Sequence, residues 1–171
     1  MTETVRNQDL IKLEYLSQKL SEIDIESRVL TKTEELGLGT MVVALDNDYK
    51  NRDQLVNLAL LPRPDDELEH INLMQFYVEL PESFSQTTEN KVKDLLTEIN
   101  ARMPIGHFGI NEERIYCRYV MVLPDGETVN EADIIETLFL FADIIGVFQE
   151  MIEDLAQQRK SLDAIKVEFA F

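Results

Sequence analysis

Residues Asn130–Leu155 read NEADIIETLFLFADIIGVFQEMIEDL. From Ile134 onward, large apolar side chains recur at alternating steps of four and three: Ile134, Leu138, Phe141, Ile145, Phe148, Ile152 and Leu155. That spacing places them all on one face of a helix. Leu140, Ile144, Val147 and Met151 form a second line beside the first. The combined apolar arc is wider than a helix with one wet side needs. The segment therefore predicts a long helix covered on more than one side, with a sheet over the main stripe. The second line is the candidate interaction surface. Soluble monomers rarely keep a contiguous apolar patch in water, so a homodimer burying that line across a two-fold axis is expected. The competing cover is the tail Ile165–Phe171 folding back within one chain.

Asn130 is a candidate N-cap, and Pro124-Asp125-Gly126 reads as a turn. Before it, Arg114–Leu123 and the shorter Gly106–Ile110 read as a hairpin turned at Asn111-Glu112-Glu113. Thr88–Met103 carries Val92, Leu95, Leu96, Ile99 and Met103 at helical spacing, and Pro104 stops it. Four further strands are expected at Ile25–Thr31, Thr40–Leu45, Gln54–Leu61 and Ile71–Leu80, the last closed by Pro81. Gln8–Ile23 predicts a surface helix buried through Leu13, Leu16, Leu20 and Ile23, after a polar, frayed start at Met1–Asn7. In the tail, Ile165, Val167, Phe169 and Phe171 alternate with smaller or charged residues. A period of two reads as a closing strand; the other reading is a long helix fraying near Lys160. No repeat or linker divides residues 1–171, so a single α+β domain is expected, an antiparallel sheet with its helices on one face.

The chain has 33 acidic against 16 basic residues, a formal net charge of −17. Phosphate backbones and anionic membranes require clustered Lys and Arg, so neither nucleic acid nor a membrane surface is an expected partner. The acidic excess keeps the surface solvated and steers toward basic segments of proteins. No apolar run approaches the ~18 residues of a membrane span. The one cysteine, Cys117, lies in the strand-like run Ile115–Val120 and reads as a buried, inert thiol. Together with an N-terminus lacking a secretory pattern, these features give a cytoplasmic expectation.

Chemical motifs are sparse. Asp46-Asn47-Asp48 opens like a calcium loop, but Asn51 and Asn57 replace the glycine and bidentate glutamate that such a loop needs. It reads as a polar turn. His70 sits beside Asp65, Asp66, Glu67 and Glu69, without the ligand spacing of a zinc site. His107, in Gly106-His107-Phe108-Gly109, could serve acid–base chemistry in a cleft, but no nucleophile or orienting partner stands at recognisable spacing. No phosphate-cradling glycine loop or nucleophile elbow is present. The expectation is no enzyme, no metal and no cofactor.

Asn100, Gly106 with Phe108, Arg118 in its strand, and the helix from Asn130 onward carry a resemblance over about Lys91 to Leu155. The segment resembles the YbjN-type domain, the bacterial sensory transduction regulator family, which is similar in fold to type III secretion chaperones. Upstream of it the elements agree in order. The resemblance implies a dimeric α+β protein that binds protein segments or acts in regulation, and it carries no catalytic residues. The leading expectation is thus a non-enzymatic, chaperone-like or regulatory protein-binding module. The alternative is a small-ligand or hydrolytic domain at His107, and a solvent-exposed His107 would favour the former.

Overall fold

The computed structural model describes residues 3–31, 39–62, 71–124 and 130–170, with side chains in the first helix from residue 9. His70, the acidic run 65–69 and most of the turn 124–126 lie outside them. Ten elements follow in order: α1 (Glu3–Ser21), β1 (Ser27–Leu30), β2 (Thr40–Leu45), β3 (Gln54–Leu61), β4 (Ile71–Ser83), α2 (Glu89–Asn100), β5 (His107–Asn111), β6 (Arg114–Pro124), α3 (Glu131–Ala156) and α4 (Leu162–Glu168). The strands form one six-stranded antiparallel sheet in the order β1-β2-β3-β4-β6-β5. The α+β class expected from the sequence is the one found.

The chain divides into two compact units, residues 1–77 with 120–140, and residues 78–119 with 141–171. In the first, strand alternation sorts side chains by face, with Ala59 the exception, buried on the otherwise more open side. Met41, Val43, Val56, Leu58, Met74 and Phe76 are buried, with Leu13, Leu16 and Leu20 of α1 supplying further core where α1 packs on β1 and β2. The opposite face is half-exposed and aligned by register. One row runs Arg28, Val42, Asn57, Tyr77, and the next runs Leu30, Thr40, Ala59, Gln75. Ala44 stands beside Leu55, and Leu61 beside Leu73.

α1 begins earlier than the sequence suggests and stops at Ser21, leaving Ile23 exposed. Asp24 takes a left-handed φ of 61°. Its N–H donates to Ser21 O and that of Ile25 to Leu20 O, at 3.2 and 3.0 Å. This is a Schellman stop made without glycine.

In the second unit, α2 buries Val92, Leu95, Leu96 and Ile99 and lies beside β5. Phe108 meets the Phe148 ring edge-on at 6.3 Å. α3 ends as α1 does. Gln158 takes φ 58°, and the N–H groups of Gln158 and Arg159 donate to Leu155 O and Asp154 O at 3.0 and 2.7 Å. The tail corrects both sequence readings, being neither a strand nor a frayed helix. Ser161 accepts from Ala164 N at 3.2 Å and starts α4. Ile165 is its buried anchor, while Val167 and Phe169 stay exposed. The period of two was a coincidence of composition on a short helix.

Candidate functional site

α3 opens on Asn130, whose Oδ1 accepts from Ala132 N at 3.2 Å. Its main stripe is buried at Ile134, Leu138, Phe141, Ile145, Ile152 and Leu155. The second line is split. Ile144 and Met151 are buried at 7% and 2%, whereas Leu140 and Val147 are 44% and 64% exposed. In the first unit, α3 shows Asp133, Glu136, Phe139 and Leu140 to solvent; in the second, Asp143, Gly146, Val147 and Glu150. The helix carries seven carboxylates and no Lys or Arg. Each half therefore presents apolar side chains between carboxylates.

At the C-terminal end of α3, residues 151–156 are all buried, including Glu153 and Asp154. Gln149 Nε2 donates to Glu153 Oε1 at 3.3 Å. Arg159 Nε donates to Asp154 Oδ1 at 2.7 Å, and its other guanidinium end lies 3.8 Å from Glu153. Lys160 bridges Asp154 at 3.2 Å and Glu168 of α4 at 2.8 Å. Burial pushes the Asp154 carboxyl up, but the hydrogen bonds and charges of Arg159 and Lys160 outweigh it and hold the group below its ordinary range. Beside this cluster, Thr88, Lys91, Leu155, Gln158, Lys160 and Ser161 line a cleft of about 180 Å³. That is smaller than the roughly 300–1,000 Å³ of drug-sized ligand sites.

The glycines around His107 have backbone duties. Gly106 sits at φ +70°, and a Cβ there would meet Arg118 O at 3.0 Å. Gly109 lies under the Tyr116 ring, which a Cβ would strike. His107 is exposed, with its ring edge-on to Tyr116 at 6.2 Å. Asn100, at the end of α2, donates to Phe108 O at 2.9 Å and accepts from Phe108 N at 2.8 Å. Its amide thus stands where the backbone of a neighbouring strand would. Cys117 is fully buried, and burial pushes its thiol up to about 12, which suppresses the thiolate.

The Asp46-Asn47-Asp48 turn is held internally. Asp48 accepts from Lys50 N and Arg52 N at 2.9 Å, and from Arg52 Nε at 2.6 Å. Among the described residues, no three His, Cys, Asp or Glu side chains converge on a metal position, and no helix is long and apolar enough to cross a membrane.

One surface escaped the sequence reading. Within β1, β2, β3 and β4 up to Tyr77 the half-exposed sheet face of the first unit carries one charge, Arg28, and Glu26, whose C=O accepts from Ala44 N at 2.9 Å, continues the same ladder one pair further on. Its signal was available in β1, β2 and β3, which contain no Asp or Glu in a chain with 33.

A family model, YbjN, described as a putative bacterial sensory transduction regulator, matches residues 42–154. The match starts inside β2, well before the segment that carried the resemblance, and includes Asn100, Gly106, Phe108 and Arg118. No curated protein matches the chain.

Proposed function

Because the chain belongs to the YbjN family, we propose that it is a non-enzymatic protein-binding module, chaperone-like or regulatory, whose partner offers a basic segment to the exposed side of α3. The observation that carries this reading is α3 itself, with Asp133, Glu136, Asp143 and Glu150 exposed, no basic residue, and Leu140 and Val147 left in solvent. A basic amphipathic segment would cover those apolar groups and neutralise the carboxylates flanking them. The exposed His107 and the inert Cys117 support a non-enzymatic role over acid–base or thiol chemistry. A type III secretion chaperone-like architecture belongs to the same reading, as does a cytoplasmic location, which the single cysteine supports.

The homodimer expected from the sequence is part of the proposal, and of the line Leu140, Ile144, Val147, Met151 it is Leu140 and Val147 that remain open to solvent. Two of those four are already buried within the chain, and the two exposed ones stand among like charges. Titrating a Lys/Leu amphipathic peptide into the full chain, read by fluorescence anisotropy, tests the docking. Binding should weaken as the screening length falls from about 10 Å at 0.1 M salt to about 3 Å at 1 M. Val147→Asp should weaken it further. Affinity indifferent to both would overturn the reading.

A further inference from the structure

We propose that the partner of α3 is a helix that crosses it at Gly146, carrying basic side chains seven residues apart on either side of an apolar contact. This rests on the docking reading above and fixes where, and in what form, the partner docks. Gly146 lies in the interior of the 26-residue α3 and is its one glycine. Inside a helix only proline is less favourable than glycine. Nothing within the chain requires the choice. The backbone at Gly146 is not in the left-handed region, and a Cβ there would meet no atom within 4 Å among the described residues. Gly106 and Gly109, by contrast, are explained by a positive φ and by the Tyr116 ring. An alanine at 146 would fit and would hold the helix better, so the missing side chain leaves room for something outside the chain.

The surroundings of that notch set the chemistry of its occupant. Asp143, Val147 and Glu150 share its face at helical steps, and all three are exposed, Val147 by 64%. Among the described residues, neither the Asp143 nor the Glu150 carboxylate has an ion-pair or hydrogen-bond partner, whereas Arg159 answers the buried Glu153 and Asp154. The two exposed acids stand roughly 10 Å apart along the axis at ~1.5 Å per residue, with Gly146 and Val147 between them. A partner helix matches that spacing with Lys or Arg at i and i+7 on the two carboxylates and Leu-sized side chains at i+3 and i+4 on Val147. Crossing helices lie about 8–10 Å apart according to the side chains at the contact, and the bare backbone at Gly146 draws the two axes toward the short end of that range. Within the part of α3 in the first unit, no glycine stands among the exposed Asp133, Glu136, Phe139 and Leu140, so the crossing belongs to the second unit.

The test is fluorescence anisotropy of the full chain with an Ala-rich helical peptide of about 16 residues, long enough to hold a helix, with Lys at i and i+7 and Leu at i+3 and i+4. Gly146→Ala should raise Tm by about 1–4 °C through helix propensity and yet weaken the peptide about fivefold or more, because the added methyl overpacks the crossing. Gly146→Leu should weaken it further with unchanged circular dichroism; if that variant fails to fold, Gly146→Ala decides. A glycine without a docking role moves Tm alone. Leu140→Ser, in the other half of α3, should leave the affinity unchanged, and moving the second Lys of the peptide to i+5 should weaken it. A wild-type chain that binds neither peptide removes the docking reading and this crossing with it. Salt-sensitive binding that Val147→Asp weakens but Gly146→Ala and Gly146→Leu do not keeps the docking on α3 and overturns the crossing. Binding lost with Leu140→Ser, or indifferent to the lysine spacing, overturns it too.

Discussion

Arg159→Ala should loosen the end of α3. The guanidinium serves Asp154 at 2.7 Å and faces Glu153 at 3.8 Å, two side chains that are 10% and 0% exposed. Removing a partner from a fully buried ion pair costs about 3–5 kcal/mol, whereas an exposed pair is worth about 0–1 kcal/mol. Arg159 is itself 38% exposed and Lys160 still reaches Asp154, so the expected loss lies between, at about 1–3 kcal/mol. Urea melts at neutral pH measure it. The pH dependence adds a second test. Asp154 is held below its ordinary value of 3.8, so its ionic contribution is fully present above that value and is lost as pH falls through its lower folded-state value. The gap between wild type and variant should therefore close in acid. A loss under about 0.5 kcal/mol, the scatter of ordinary surface changes, or a gap that persists unchanged in acid, would refute the argument.

Leu138→Ala and Phe141→Ala, both essentially unexposed, should each cost about 2–5 kcal/mol in denaturant melts; shifts under half a kcal/mol would mean the stripe is not core. Asn100→Leu strips Phe108 of both amide bonds and should cost about 1–3 kcal/mol, accompanied by faster hydrogen exchange at the Phe108 N–H. Cys117 should resist thiol reagents at neutral pH until the chain unfolds, given its burial and a thiol pushed up to about 12; prompt labelling of folded protein would contradict this. Ile165→Ala, which removes the one buried side chain of α4, should expose the 157–171 region to protease before global unfolding, and equal resistance in the two proteins would show α4 to be held otherwise.

Strands and long helices were legible because their burial follows period. β2 and β3 match their expected bounds, and the α3 stripe is buried as its spacing requires. Helix ends were less legible. α1 and α3 stop at Asp24 and Gln158 in the left-handed region, a role for which glycine is the usual signal. Missing that second stop hid the break before Ser161 and turned a short helix into an apparent strand. Of the second α3 line, Leu140 and Val147 are exposed. Ile144 and Met151 are enclosed by packing that spacing alone does not encode.

Asn100 has a consequence for growth. The N–H and C=O of one strand residue point to the same side, so bonds from one amide to both groups of Phe108 occupy the outer margin of β5 at its second residue. In the strand order, β5 is one end of the sheet and β1 the other. A linear polymer assembled by strand addition needs a head that accepts and a tail that donates. Here one terminus is plugged by a side chain from the same molecule. Copies joining β1 to β1 would present only plugged ends and stop at two. The amide is therefore a chain terminator, and replacing it should turn a self-limiting molecule into one able to propagate along its own sheet.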